Sequence, residues 1–203
     1  MTSGLRDLYA RCLAPLVRIL LRLGIAPTTV TVVGTVATAA AALWFFPQGQ
    51  AVLGTIVVLV CLLGDGLDGQ LARAAKRETR LGAFLDSTLD RIADGAIFVA
   101  IGWWRLNEGD ELGLGLAAAV LVCGFLVSYA RARAEAEGWD ASVGLFERGD
   151  RLLLSLAGVL AVGLGAPAWA LWLALGVVAA GSAFTAGQRI RAAVLAARQS
   201  NAL

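Results

Sequence analysis

Residues 51–75, AVLGTIVVLVCLLGDGLDGQLARAA, begin as an uncharged apolar run and end in acids, glycines and an arginine. Residues 82–104, GAFLDSTLDRIADGAIFVAIGWW, read in the reverse sense. Each is long enough for a bilayer-crossing helix, which takes about 20 residues. Together they put Asp65, Asp68, Asp86, Asp90 and Asp94 at membrane-helix depth, where an aspartate costs about 2.5–3.5 kcal/mol. Four or five left uncompensated would cost roughly 10 kcal/mol, comparable with the stability of a whole domain. The spacing suggests the compensation. Asp65 and Asp68 stand at i and i+3, Asp86 and Asp90 at i and i+4, so each pair shares a helix face. Two antiparallel helices joined around Lys76–Leu81 would bring the faces together. Four converging carboxylates form an oxygen-only site for a hard cation, Mg2+ or Mn2+, and the charge suits two ions. Such ions share their shell with substrate phosphates, which points to phosphoryl or phosphatidyl chemistry.

The rest of the chain fits a membrane setting. Of 203 residues, 59% are hydrophobic and 16% charged, with a mean hydropathy of +0.76. Soluble domains carry roughly 25% charge, so an ordinary soluble domain and disorder are both excluded. Further apolar runs cover Val30–Phe46, Leu112–Tyr129, Leu152–Leu164 and Trp169–Phe184. The reading is an all-α integral membrane protein of one domain, 1–203, with spans at about 28–47, 51–75, 82–105, 112–136, 150–165 and 168–197. Residues 5–23 place Leu5, Tyr9, Leu13, Leu16, Leu20 and Leu23 at helical spacing beside Arg11, Arg18 and Arg22. This predicts an N-terminal amphipathic interfacial helix, kinked at Pro15, not a cleaved signal. Basic residues alternate along the chain. They gather before the first span, at Arg73–Arg80, at Arg131–Arg151 and in the tail, while the intervening turns hold only Arg105. The bias places both termini and the acid-bearing helix ends on the cytoplasmic side of the cell membrane. The net charge of +2 offers nothing to nucleic acid, and the absence of histidine removes imidazole catalysis and His-ligated metals. Cys12, Cys61 and Cys123 read as small core residues.

Gly64, Gly66, Gly69, Ala72, Gly82 and Ala83 surround the acids. Glycine costs about 1 kcal/mol in a helix, so these positions serve either close backbone packing or substrate room, and beside the acids room is the better reading. Arg73 could reach a phosphate or simply snorkel.

Written out, the motif is Asp65-x-x-Asp68-Gly69-x-x-Ala72-Arg73, eight residues, then Gly82-x-x-x-Asp86-x-x-x-Asp90. It resembles the motif of the CDP-alcohol phosphotransferases at all eight fixed positions. The resemblance implies transfer of a phosphatidyl-type group from a CDP-linked lipid to an alcohol, with release of CMP. It implies that Asp65, Asp68, Asp86 and Asp90 bind two Mg2+ ions, with Mn2+ able to substitute, and that Asp90 is the general base. It also implies that Gly69, Arg73 and Thr79 hold the cytidine diphosphate, together with Thr28, Thr29, Val30 and Thr31 after Pro27. A helix-capping role is the alternative for Thr28 and Thr29. Ser128-Tyr129-Ala130-Arg131-Ala132-Arg133-Ala134-Glu135-Ala136 and Phe146-Glu147-Arg148-Gly149-Asp150-Arg151 are similar to stretches of the actinobacterial phosphatidylinositol phosphate synthases within that family. The likeness implies CDP-diacylglycerol as donor and inositol phosphate (1D-myo-inositol 3-phosphate) as acceptor. The acceptor phosphate would lie on Ser128, Arg131, Arg148, Arg151 and Arg189, in a homodimer. Arg131 where those enzymes have lysine, and Gly149-Asp150, are departures; arginine still binds phosphate. Three other readings stay open. One is phosphatidylglycerol phosphate synthesis with glycerol 3-phosphate, another a divalent-cation transporter, and the third an inactive homologue.

Overall fold

The computed structural model describes residues 14–74 and 79–200, with 65, 66, 68, 72, 74 and 200 described by backbone alone. Regular structure among the described residues is helical: α1, whose described part covers 14–22, then α2 (Pro27–Phe45), α3 (Ala51–Ala74), α4 (Arg80–Asn107), α5 (Glu111–Ala136), α6 (Arg148–Gly163) and α7 (Trp169–Ser200). The chain parts into two compact units. The first comprises Met1–Ala41 and Ile56–Ala93, the second Ala42–Thr55 and Asp94–Leu203.

In the first unit, Gly24 takes a left-handed φ of 66°. Its N–H donates to Leu21 and that of Ile25 to Leu20, both at 3.1 Å, the paired pattern that closes a helix around a left-handed residue. Pro27 then opens α2 at the first position, where no N–H is needed. Thr28 and Thr29 lie inside the first turn, past the capping position, and the carbonyl of Ala26 accepts from Thr29 at 3.0 Å. The capping alternative for these threonines is thereby removed. Val17, Leu67 and Leu71 are buried together, with Leu20 and Val30 against them. Between residues 14 and 22, α1 also exposes Leu16, Ile19 and Leu21 together with Arg18 and Arg22, so its exposed surface mixes apolar and cationic side chains. The part of the expected interfacial helix before residue 14 lies outside the described residues.

In the second unit, α7 packs along α5 and α6. Val120, Leu156, Leu171 and Leu175 are fully buried. A Cβ on Gly158 would stand 2.7 Å from the Ala174 methyl, so α6 and α7 approach closely only because glycine is there.

Among the described residues, four helices have the length and apolar character to cross a membrane: Pro27–Phe45, Ala51–Leu71, Glu111–Ala136 and Trp169–Gln199. That is two fewer than the six expected. Helix α4 has 28 residues but carries Asp86, Asp90, Arg91 and Asp94 within them. Helix α6 has 16, about 24 Å at 1.5 Å per residue, against a hydrocarbon core of about 30 Å.

The α4–α5 turn is braced by charge. Arg105, 4% exposed, donates from Nε to Asp110 and from Nη1 to Glu108, both at 2.7 Å. Trp104 donates to Glu108 at 2.6 Å and its ring lies 4.8 Å beneath the guanidinium. Asp110 caps α5 through Gly113 N–H at 2.9 Å and accepts from Trp172 Nε1 at 2.8 Å. Burial alone would raise the Asp110 pKa; donation from Trp172, Gly113 and Arg105 prevails and holds it below the ordinary 3.8.

Candidate active site

The four motif aspartates fall in the first unit, two on α3 and two on α4. The side chains of Asp65 and Asp68 lie outside the described residues. On α4, Asp86 is exposed and Asp90 partly buried, with Arg91 Nη2 at 3.6 Å from Asp90. The donor set is therefore all carboxylate oxygen, which fits a hard divalent cation and would not suit a thiophilic one. The described residues contain no group of three or more candidate ligands.

The glycines distinguish between packing and room. A Cβ on Gly64 would meet nothing within 4 Å, and one on Gly69 only the Arg73 guanidinium, at 3.6 Å. Neither glycine is therefore required by close backbone packing among the described residues. Arg73 itself is exposed. Thr79 caps α4, its Oγ1 accepting from Gly82 N–H at 3.0 Å; the motif alone did not indicate that duty. Thr31 is buried and donates back to the Pro27 carbonyl at 3.2 Å. An apolar groove of about 350 Å3 runs between α1, α2 and α3 and includes Leu20, Thr29, Val33, Cys61, Gly64 and Leu67. It connects the first turn of α2 with the stretch of α3 that carries the acids.

The candidates for an acceptor phosphate fall in the second unit. Helix α6 begins at a reciprocal cap: Glu147 N–H donates to Asp150 at 3.0 Å, and the Glu147 side chain accepts from the backbone of the first turn. The Asp150 departure thus has a local purpose in starting α6. The cap sets Arg148 and Arg151 on one face, three residues apart. Arg148 Nε donates to Asp94 Oδ1 at 2.9 Å, and Arg151 Nη2 stands 3.9 Å from Asp94 Oδ2. Asp94 and Arg151 are buried, 6% and 3% exposed. Asp94 has no assigned role in the motif, although its place four residues after Asp90 marks it as one more acid at membrane depth.

The other acceptor candidates are engaged differently. Arg189 is buried and donates from Nε to the Val143 carbonyl at 2.9 Å and from Nη1 to Val127 at 2.8 Å. It ties the 137–147 connection to α5 and α7. Arg131 is exposed and pairs with Glu135 on its own helix at 2.7 Å. Ser128 donates to Gly124 at 3.2 Å.

Residues 24–180 match the family model of the CDP-alcohol phosphatidyltransferases. The chain is 42% identical over 193 residues to the phosphatidylinositol phosphate synthase of Mycobacteroides abscessus, covering 94% of this chain and 88% of that one. It is 43% identical over 192 residues to the enzyme of the same name from Streptomyces avermitilis, covering 91% and 79%. Among solved structures, the Mycobacterium tuberculosis phosphatidylinositol phosphate synthase with CDP-DAG bound superposes with a TM-score of 0.85 at 38% identity, over 90% of this chain and 94% of that one. The same enzyme in complex with manganese and citrate gives 0.83, over 88% and 87%. With a motif complete at every fixed position and a family match over most of its length, this multi-pass membrane chain belongs to the CDP-alcohol phosphatidyltransferase family.

Proposed function

We propose that the chain transfers the phosphatidyl group of CDP-diacylglycerol to inositol phosphate, giving phosphatidylinositol phosphate and CMP. The observation that carries the reaction class is the set of four aspartates at fixed spacing on α3 and α4 within one unit. The acceptor is supported by the identity with phosphatidylinositol phosphate synthases and by the arginine cluster at the start of α6. The apolar groove beside Thr29 and Gly64 offers surface for the lipid part of the donor.

Asp65, Asp68, Asp86 and Asp90 would hold two divalent ions, Mg2+ or Mn2+, which when bound neutralise the diphosphate and the leaving phosphate. Asp90 accepts the proton of the acceptor hydroxyl. The hydroxyl oxygen bonds to the phosphorus that carries diacylglycerol, the diphosphate P–O bond breaks, and CMP leaves with that electron pair. Thr28, Thr29, Val30, Thr31, Gly69, Arg73 and Thr79 line the cytidine diphosphate part. Ser128, Arg131, Arg148, Arg151 and Arg189 form the acceptor's phosphate site. In this reading α4 and α6 also span, making six crossings of one catalytic domain. Both termini face the cytoplasm at the plasma membrane, and two copies form a homodimer.

The test is acceptor-dependent CMP release by purified protein given CDP-diacylglycerol with inositol phosphate, free inositol or glycerol 3-phosphate. The expected result is release with inositol phosphate and little with free inositol. Release with glycerol 3-phosphate alone would overturn the acceptor assignment.

A further inference from the structure

We propose that Thr185 is a positioning residue for the acceptor's phosphate, fixing the setting of the first turn of α6 through the connection that leads into it. The inference rests on the function proposed above, which places Arg148 and Arg151 at that turn. Gly181, Thr185 and Arg189 stand four residues apart on α7 and so share one helix face. Each holds a different piece of the connection. A Cβ on Gly181 would stand 2.6 Å from the Phe146 ring, so the ring sits in a notch that glycine leaves open. Thr185 Oγ1 accepts from the Phe146 N–H at 3.0 Å. Its methyl packs so closely on Gly144 that a Cβ there would stand 2.6 Å away. Arg189 Nε donates to the Val143 carbonyl at 2.9 Å.

Thr185 is the middle of that stripe and is fully buried. Its hydroxyl donates to the Gly181 carbonyl at 2.8 Å, which commits the proton to its own helix and leaves the oxygen to accept from Phe146. Phe146 directly precedes Glu147, the capping residue of α6, and Arg148 and Arg151 follow in the first turn. Further along, Gly158 brings α6 against Ala174 of α7. That contact alone does not fix the rotation of α6 about its axis. A slip of one residue would carry an arginine about 1.5 Å along the helix and about 100° around it. The hydrogen bond to Phe146 removes this freedom beside the cap, where Arg148 starts. Thr185 thus acts on the phosphate site through the backbone, without touching the substrate.

The experiment is steady-state kinetics of the full-length protein in detergent, varying inositol phosphate and CDP-diacylglycerol separately, for wild type, Thr185→Val and Thr185→Ser. Thr185→Val keeps the methyl and loses the oxygen, whereas Thr185→Ser keeps the oxygen. Thr185→Val is expected to raise the acceptor KM roughly 10-fold and leave the donor KM within about twofold. Thr185→Ser is expected to hold the acceptor KM within about twofold of wild type. An unchanged acceptor KM in Thr185→Val, an equal rise in both KM values, or a rise of the same size in Thr185→Ser overturns the proposal. Should Thr185→Val not fold, Gly181→Ala decides in its place, because it displaces the Phe146 ring and keeps the Thr185 hydroxyl; the same selective rise is expected. If neither variant folds, the attachment serves the fold alone and the proposal has failed. If wild type releases no CMP with inositol phosphate, the function proposed above has failed. If wild type is active and the variants keep its acceptor KM, only the assignment of Thr185 has.

Discussion

Two places in the second unit bury an arginine against carboxylate, and they differ in how far apart the partners lie in the chain. At the α4–α5 turn, one guanidinium meets two carboxylates, and Trp104, Trp172 and Gly113 complete their hydrogen bonds. Both acids come from within five residues of Arg105. At the start of α6, two guanidinium groups share one carboxylate that stands 54 residues away from Arg148 in the chain. The first arrangement is local and has the character of a brace within one turn. The second ties the start of α6 to a distant stretch of the chain. Buried charge therefore serves two purposes here, and the sequence separation of the partners tells them apart.

Substitutions can break that contrast. The largest effect belongs to the acid-bearing helices: Asp90→Asn is expected to lower kcat by about 10²- to 10⁴-fold while metal-dependent binding of CDP-lipid persists. Full activity in this variant would remove Asp90 as the base. Next comes the brace. Arg105→Gln leaves two carboxylates without their buried partner and should cost about 3–5 kcal/mol, read as a lower thermal midpoint in detergent, with both KM values unchanged. A selective rise in the acceptor KM would erase the distinction between the two clusters.

The brace also carries a pH signature. Because the folded Asp110 pKa lies below its ordinary 3.8, its contribution to stability is complete above 3.8 and is lost as pH falls through the lowered value. Acid titration of the thermal midpoint should show a loss below 3.8 that Asp110→Asn lacks. The smallest effect is expected at Arg131, whose pair with Glu135 is exposed and lies on a single helix. Arg131→Gln should change stability by less than about 0.5 kcal/mol and raise the acceptor KM modestly. No rise would move Arg131 out of the acceptor's phosphate site.

Much of the fold was legible in the chain because apolar runs and punctuation residues act locally. Gly24 and Pro27 mark the end of α1 and the start of α2, and the five acids fall where expected, in the later part of α3 and the earlier part of α4. The motif reading also singled out Arg148 and Arg151. The joint between them was not legible. Asp94 reads as one more costly acid until folding sets it against Arg148 and Arg151, and no spacing rule connects residues that far apart. Arg189 presents the same difficulty: composition marks a cation, whereas folding commits two of its nitrogens to the Val143 and Val127 carbonyls. Thr79 shows a local ambiguity, since one hydroxyl can serve a helix start or a nucleotide and sequence does not rank them. The span count differs for a physical reason as well. Helix α4 carries Asp86, Asp90, Arg91 and Asp94 within its length and α6 has only 16 residues, although both helices are continuous.

The brevity of α6 has a consequence for how a water-soluble acceptor reaches a lipid. A spanning segment shorter than the hydrocarbon slab is accommodated by local thinning of the bilayer. With 16 residues from Arg148 to Gly163, an α6 that crosses as proposed above would draw the lipid surface inward beside it, and the aqueous boundary would dip toward its first turn. A charged sugar phosphate would then meet the proposed Arg148 site from water, while the donor's acyl chains stay in oil. Hydrophobic mismatch, usually counted as a cost, would in that arrangement shorten the path between two substrates that dissolve in different phases.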